Sequence, residues 1–312
     1  MSWGLLSICQ DTCRNKGNLA MEVPLVSAME GEPSFVGDAF KSPPKTLHTV
    51  GIAVCSGATV MNDGIPVGRW ADRLWETSKA SLVLTSACFW NPGGVLEAPL
   101  RFSSGAYGNI VIGSRDPYTH KRLSDAGIAT EFVGCTSLRF TRKEGDRRWI
   151  GLGFSRHSPE GQVGWLAKVA GESGKLARIY VQDPKESAAA RMLRERLGGA
   201  PVVFIGDLTT VPAWENEFSH LAFCVSGRLH QILPAAAMGV PSALFSTSLR
   251  LLGDSRFSLL HHLGIPCSSL TSHSPDVVLT RCSSGLEARK SELLGRLAAF
   301  LSRANALASR VV

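Results

Sequence analysis

The chain has 312 residues, 44% hydrophobic and 19% charged, enough to bury two cores and too apolar for a disordered chain. No run approaches the roughly 20 consecutive apolar residues of a membrane-spanning helix, which leaves at most peripheral membrane contact. Thirty-three Lys and Arg against 26 Asp and Glu give a formal charge of +7. The densest basic run, Arg139 to Arg148, contains Glu144 and Asp146 and lacks interleaved aromatics, so a small anionic ligand fits better than nucleic acid.

In chain order, short apolar runs alternate with amphipathic stretches, the pattern of parallel sheets covered on both faces. The first half offers strands at 48–54, 81–85, 109–113 and 130–133, with helices at 19–29, 66–78 and 117–126. The polar stretch Thr141 to Arg148 breaks the series. A second series gives strands at 149–154, 177–181, 201–205, 221–226, 241–245 and 276–279, and helices at 161–171, 185–197, 214–219 and 229–238. A short helix after residue 256 and a long one from about Leu286 to Leu307 close the chain. The fold expected is therefore α/β: two Rossmann-like, doubly wound domains, 1–145 and 146–312, facing a central cleft. Functional loops in such domains follow the carboxyl ends of the strands.

The eight cysteines sit mostly in apolar runs such as GIAVCSG and LAFCVSG, as small buried hydrophobes rather than a disulfide set. Cys9 and Cys13 form one CxxxC pair with no second pair and no adjacent His, so no metal site is expected. The N-terminus has no charged n-region, and with the thiol usage this reads as a cytoplasmic protein without cofactor. No GxxxxGK[ST], HExxH or GxSxG occurs.

The stretch Leu221 to Phe245 carries the most chemistry. Its strand ends at Ser226, Gly227 permits a tight turn, and Arg228 and His230 stand where a helix begins, a position that attracts anions. Arg228 could fork a phosphate or carboxylate, or form an ordinary ion pair; His230 could move a proton near neutral pH, or simply be a satisfied histidine. In Asn109 to Ile128 a strand delivers Arg115 and Asp116, which either pair locally, with Asp116 capping the helix, or split, with Arg115 facing a ligand. Arg250 and Arg156 also follow strands. Asn15, Gly17, Asn18 and Gly57 lie in loops consistent with an anion or sugar site, although such signals are more often plain turn chemistry.

With these residues in view, the chain resembles the polysaccharide pyruvyltransferase family. The likeness runs from the N-x-G loop and helix (Asn15 to Met29), through the strand and Gly turn (Ile52 to Gly57) and the strand-x-R-D segment (Val111 to Ile128). It continues with the strand opening the second half (Ile150 to Arg156) and ends with R-L-H, G-x-P and a basic residue (Ser226 to Arg250). The resemblance implies a GT-B-like fold, with phosphoenolpyruvate on the second half and a glycan, or a lipid- or nucleotide-linked sugar, on the first. It implies that Arg115, His230 and Arg250, with Arg228 in the same motif, meet the phosphate and carboxylate of phosphoenolpyruvate. Two departures stand out: Asn18 replaces the family's usual carboxylate, and Cys55-Ser56-Gly57 replaces a Gly-rich turn. Alternatives are a nucleotide-sugar glycosyltransferase of the same architecture and a non-catalytic anion- or sugar-binding relative.

Overall fold

The computed structural model describes residues 2–9, 16–44, 50–57, 67–88, 110–155, 157–246, 255–269 and 286–309. Asn15, Arg156, Arg250 and the strand expected at 276–279 lie outside the described residues. The first sheet holds β1 (Trp3–Ser7), β2 (Phe35–Asp38), β3 (Ile52–Ser56), β4 (Ser81–Ala87), β5 (Ile110–Ser114) and β6 (Glu131–Phe132), with helices α1 (Leu19–Val26), α2 (Val67–Ser78) and α3 (Pro117–Asp125). The second holds β7 (Trp149–Gly153), β8 (Leu176–Val181), β9 (Val202–Phe204), β10 (Leu221–Ser226), β11 (Ser242–Ser246) and β12 (Cys267–Ser269). Its helices are α4 (Val163–Ser173), α5 (Ser187–Arg196), α6 (Val211–Ser219), α7 (Leu229–Ala237) and α8 (Ser255–Leu263).

Every strand pairing among the described residues is parallel. The orders are β2-β1-β3-β4-β5-β6 and β12-β11-β10-β7-β8-β9. Parallel strands buried on both faces read as unbroken apolar runs, and β1 and β3 are buried at all five positions. Each order reverses once, between β1 and β3 in the first sheet and between β7 and β10 in the second. Crossover helices leave on opposite faces at such a reversal, which opens a crevice at the strands' carboxyl ends.

Helix α7 joins the halves. All nine of its residues are buried, and it packs against α1 and the 3-10 turn Thr136–Arg139 of the first half while covering β10 and β11 of its own. A backbone bond from Lys16 N–H to the Gln182 carbonyl, 3.0 Å, adds a second tie.

The closing helix α9 (Leu286–Ser309) follows the second half in the chain. Dividing the chain at 145/146 groups it with the second half, yet it packs over β3 and β4 of the first. Its Leu297, Phe300 and Leu301 share a core with Trp3, Leu5, Ile52, Val54 and Val83. An apolar stripe fixes which face of a helix is buried but not which sheet receives it, and each such large side chain stabilises by about 1.5–3 kcal/mol wherever it lands. No helix among the described residues is long and apolar enough to cross a membrane.

Phe300→Ala should destabilise by about 3–5 kcal/mol, since Phe300 is 1% exposed. Urea unfolding followed by tryptophan fluorescence checks this; a loss under about 1 kcal/mol would mean that α9 is dispensable to the first core.

Candidate functional site

The second sheet's reversal lies between the ends of β7 and β10, and Gly227 makes the turn there. A Cβ on Gly227 would stand 2.4 Å from the Cβ and 2.5 Å from the Cα of Ser155, so only glycine lets the two strand ends pass this closely. Arg228 follows in extended conformation (φ −117°, ψ 120°) as the N-cap residue of α7. Its N–H donates to Ser226 Oγ (3.0 Å), and that hydroxyl donates to Gln231 Oε1 (2.8 Å). His230, in the first turn, is 7% exposed. The Arg228 side chain does not cap α7, whose first-turn N–H groups of Gln231 and Ile232 donate to the Arg228 carbonyl at 3.2 Å.

The Arg228 guanidinium is paired. Its Nε donates to Glu186 Oε1 at 2.8 Å and its Nη2 to the same oxygen. Glu186 stands after β8, where its Oε2 accepts the N–H groups of Gln182 (2.8 Å) and Asp183 (3.3 Å). Burial pushes the Glu186 carboxyl up, against the pull of Arg228 and these N–H donors. Removing one member of a buried pair of this kind costs about 3–5 kcal/mol, because the other charge is left stranded. Of the ion-pair reading and the ligand reading open for Arg228 in the sequence, the ion pair is therefore present, on one edge of the guanidinium.

In the first half, Asp116 is the N-cap of α3. Its carboxylate accepts Thr119 N–H (2.8 Å) and Thr119 Oγ1 (3.0 Å), with Pro117 opening the helix. Ser258 of α8 donates to the same carboxylate at 3.1 Å, another contact between the halves. Arg115 is 1% exposed, with Nε 3.8 Å from Asp116 Oδ2. Burial raises the Asp116 carboxyl while the Arg115 charge opposes the shift.

At the first sheet's reversal, Glu22 of α1 is buried. It accepts Ser7 Oγ at 2.8 Å and Ile8 N–H at 3.0 Å, pinning the carboxyl end of β1, and burial lifts its carboxyl. Gly17 and Asn18 lie in the 3-10 turn Lys16–Asn18 that leads into α1. Gly57 follows β3 and donates its N–H to the Thr85 carbonyl at 3.0 Å.

Segments of both halves thus pack against α7. Gly227, Arg228 and His230 stand at its start, the loop with Gly17 and Asn18 meets the Gln182 segment through Lys16, and Arg115 is buried at the end of β5 next to the N-cap Asp116. The sequence reading missed two carboxylates, Glu186 and Glu22. Glu186 stands in Asp183-Pro184-Lys185-Glu186, a helix-start signal whose Glu is expected to serve the backbone. It does so through one oxygen and holds Arg228 with the other.

The polysaccharide pyruvyl transferase family model matches residues 101–248. The resemblance drawn from the sequence is borne out over this segment, which contains Arg115, Gly227, Arg228 and His230, and the family is one of transferases. No curated protein sequence matches the chain. Among solved structures, a putative UDP-N-acetylglucosamine 2-epimerase from Listeria monocytogenes superimposes with TM-score 0.54 at 12% identity, covering 95% of this chain and 90% of that one. The UDP-N-acetylglucosamine 2-epimerase from Rickettsia bellii gives 0.53 at 11%, covering 99% and 96%. The enzyme from Neisseria meningitidis, solved with UDP-GlcNAc, gives 0.50 at 10%, covering 97% and 98%. At such identities the likeness speaks for the fold, two Rossmann-like domains in the GT-B manner.

Glu22 supplies a pH prediction. Its folded carboxyl lies above the ordinary 4.5, so the native state keeps a proton that the unfolded chain has lost. Stability falls as pH rises from the ordinary value to the raised one; the penalty is absent below that window and full above it. Glu22→Gln, neutral in both states, should gain on wild type as pH climbs from about 4 to about 7. Urea midpoints across that range check this, and parallel curves would contradict it.

Proposed function

We propose that the protein is a pyruvyltransferase that takes phosphoenolpyruvate as donor and two hydroxyls of a glycan or glycan precursor as acceptor, forming a pyruvate ketal. The observation that carries this reading is the start of α7: Gly227, Arg228 and His230 at the reversal point of the second sheet, within the segment matched by the family model. Family resemblance contributes the identity of the donor; a buried guanidinium and imidazole at a helix start suit an anion that must also be protonated.

The chemistry balances without a cofactor. His230, or a proton relayed through it, adds to C3 of phosphoenolpyruvate, and C2 becomes electrophilic. One sugar hydroxyl adds at C2 and gives up its proton. The C2–O bond to phosphate then breaks, phosphate leaves, and a second hydroxyl adds at C2 and loses its proton to close the ketal. Arg228, Arg115 and Arg250 would offset the charge of the donor and of the departing phosphate. Holding two hydroxyls against one carbon is a positioning task, assigned here to the first half with Gly17, Asn18, Gly57 and Asn15. Arg156 belongs to the same donor-side assignment.

Calorimetric titration with phosphoenolpyruvate, beside UDP- and GDP-sugars at the same salt, tests the donor. Saturable phosphoenolpyruvate binding that is lost in Arg228→Ala is expected; binding of a nucleotide sugar instead would mean glycosyl transfer. His230→Ala should stay folded and release no phosphate from phosphoenolpyruvate with any sugar that the wild type pyruvylates. Phosphate release at near the wild-type rate would remove His230 from the mechanism.

A further inference from the structure

The geometry points to Glu186 as a positioning residue for the donor site, one that locks Arg228 by its inner edge and presents the outer edge of the guanidinium to an oxyanion of the ligand. The inference rests on the reading above for the ligand's identity but not for the existence of the site.

A guanidinium has five N–H donors in one plane, arranged as two usable edges. Glu186 Oε1 takes the edge formed by Nε and Nη2. The other edge, Nη1 with the second hydrogen of Nη2, has no acceptor among the described residues. Arg228 keeps 10% of its side-chain surface accessible and Glu186 only 2%, so the accessible part of the pair belongs to the arginine. Glu186 has no slack, because its second oxygen is held by the N–H groups of Gln182 and Asp183, on a segment tied to the first half through Lys16.

Two further donors lie on residues bonded to the same network. The carboxamide Nε2 groups of Gln182 and Gln231 are buried and have no hydrogen-bond partner among the described residues. Gln182 donates its backbone N–H to Glu186, and Gln231 accepts from Ser226, which also receives the Arg228 N–H. The planar fork left on Arg228 suits a carboxylate or phosphate oxygen pair.

Positioning and bare electrostatics predict opposite signs. A carboxylate beside an anion site repels the anion, so if charge alone mattered, removing it would tighten binding. If Glu186 positions Arg228, E186Q weakens binding despite the added positive charge. The glutamine amide cannot accept from Arg228 and from both backbone N–H groups at once, so the fork is released. E186D keeps the charge but shortens the reach by one methylene. For a positioning role it behaves like E186Q; for a charge role it behaves like wild type.

The test is calorimetry of the full chain with phosphoenolpyruvate, inorganic phosphate and UDP as probes, with thermal unfolding of each variant alongside. E186Q and E186D should each raise the phosphoenolpyruvate dissociation constant about tenfold or more while remaining folded. In an R228K background, which keeps the charge but has no fork, E186Q should change it no further, whereas a purely structural role would give the same loss in both backgrounds. Should E186Q fail to fold, E186D and the R228K pair carry the test. Wild-type affinity, or tighter binding, in E186Q or E186D overturns the role of Glu186 and leaves the pyruvyltransferase reading intact. Wild-type binding of UDP rather than phosphoenolpyruvate, weakened by E186Q, upholds Glu186 and discards that reading. A wild-type chain that binds none of the probes overturns both.

Discussion

The burial of α7 on every side is the constraint on which the rest of the molecule hangs. A helix with no exposed face cannot shift without disturbing both halves, because it lies on β10 and β11 and against α1 and Thr136–Arg139 at the same time. Its start is fixed as firmly as its body. Gly227 passes Ser155 at a separation no side chain tolerates, and Ser226 and Gln231 close the first turn. What reaches the crevice from this helix is therefore held by packing, without help from a flexible loop.

The electrostatics follow the same plan. Each described arginine of the candidate site has a buried carboxylate within ion-pair reach: Asp116 for Arg115 and Glu186 for Arg228. The carboxylates in turn are saturated by local donors, Thr119 and Ser258 for one and the Gln182–Asp183 backbone for the other. An arginine compensated in this way is stable while the crevice is empty. It also binds by direction more than by net charge, because its field is largely cancelled by its partner. The formal +7 of the chain thus says little about this site.

Much of the fold was legible because parallel strands announce themselves as apolar runs, and the strand at 221–226 and the helices following the two Arg motifs stand where patterning puts them. Three strands were not legible. The β1 sequence WGLLS lies so near the N-terminus that it reads as a lead-in, while β2 (FVGD) and β12 (CSS) are short edge strands that owe their conformation to a neighbour. Helix α9 was visible as a helix, but its address was not, since its partners are brought in from the far end of the chain. In the candidate site, the helix-start positions of Gly227, Arg228, His230 and Arg115 and the capping role of Asp116 could be read from strand-turn-helix order. Glu186 could not, because ion pairs across 42 positions leave no trace in spacing.

The path of α9 has a consequence for how the molecule comes into being. Trp3 and Leu5 lie in β1, which is made before the whole second half, yet the core they belong to is completed by Leu297, Phe300 and Leu301. The first sheet therefore waits, with one apolar face uncovered, while the entire second half is made. Such a face is a ready site for chaperones and for unwanted pairing with other nascent chains. The two halves look like independent units by sheet order, but in the cell they must finish folding as one.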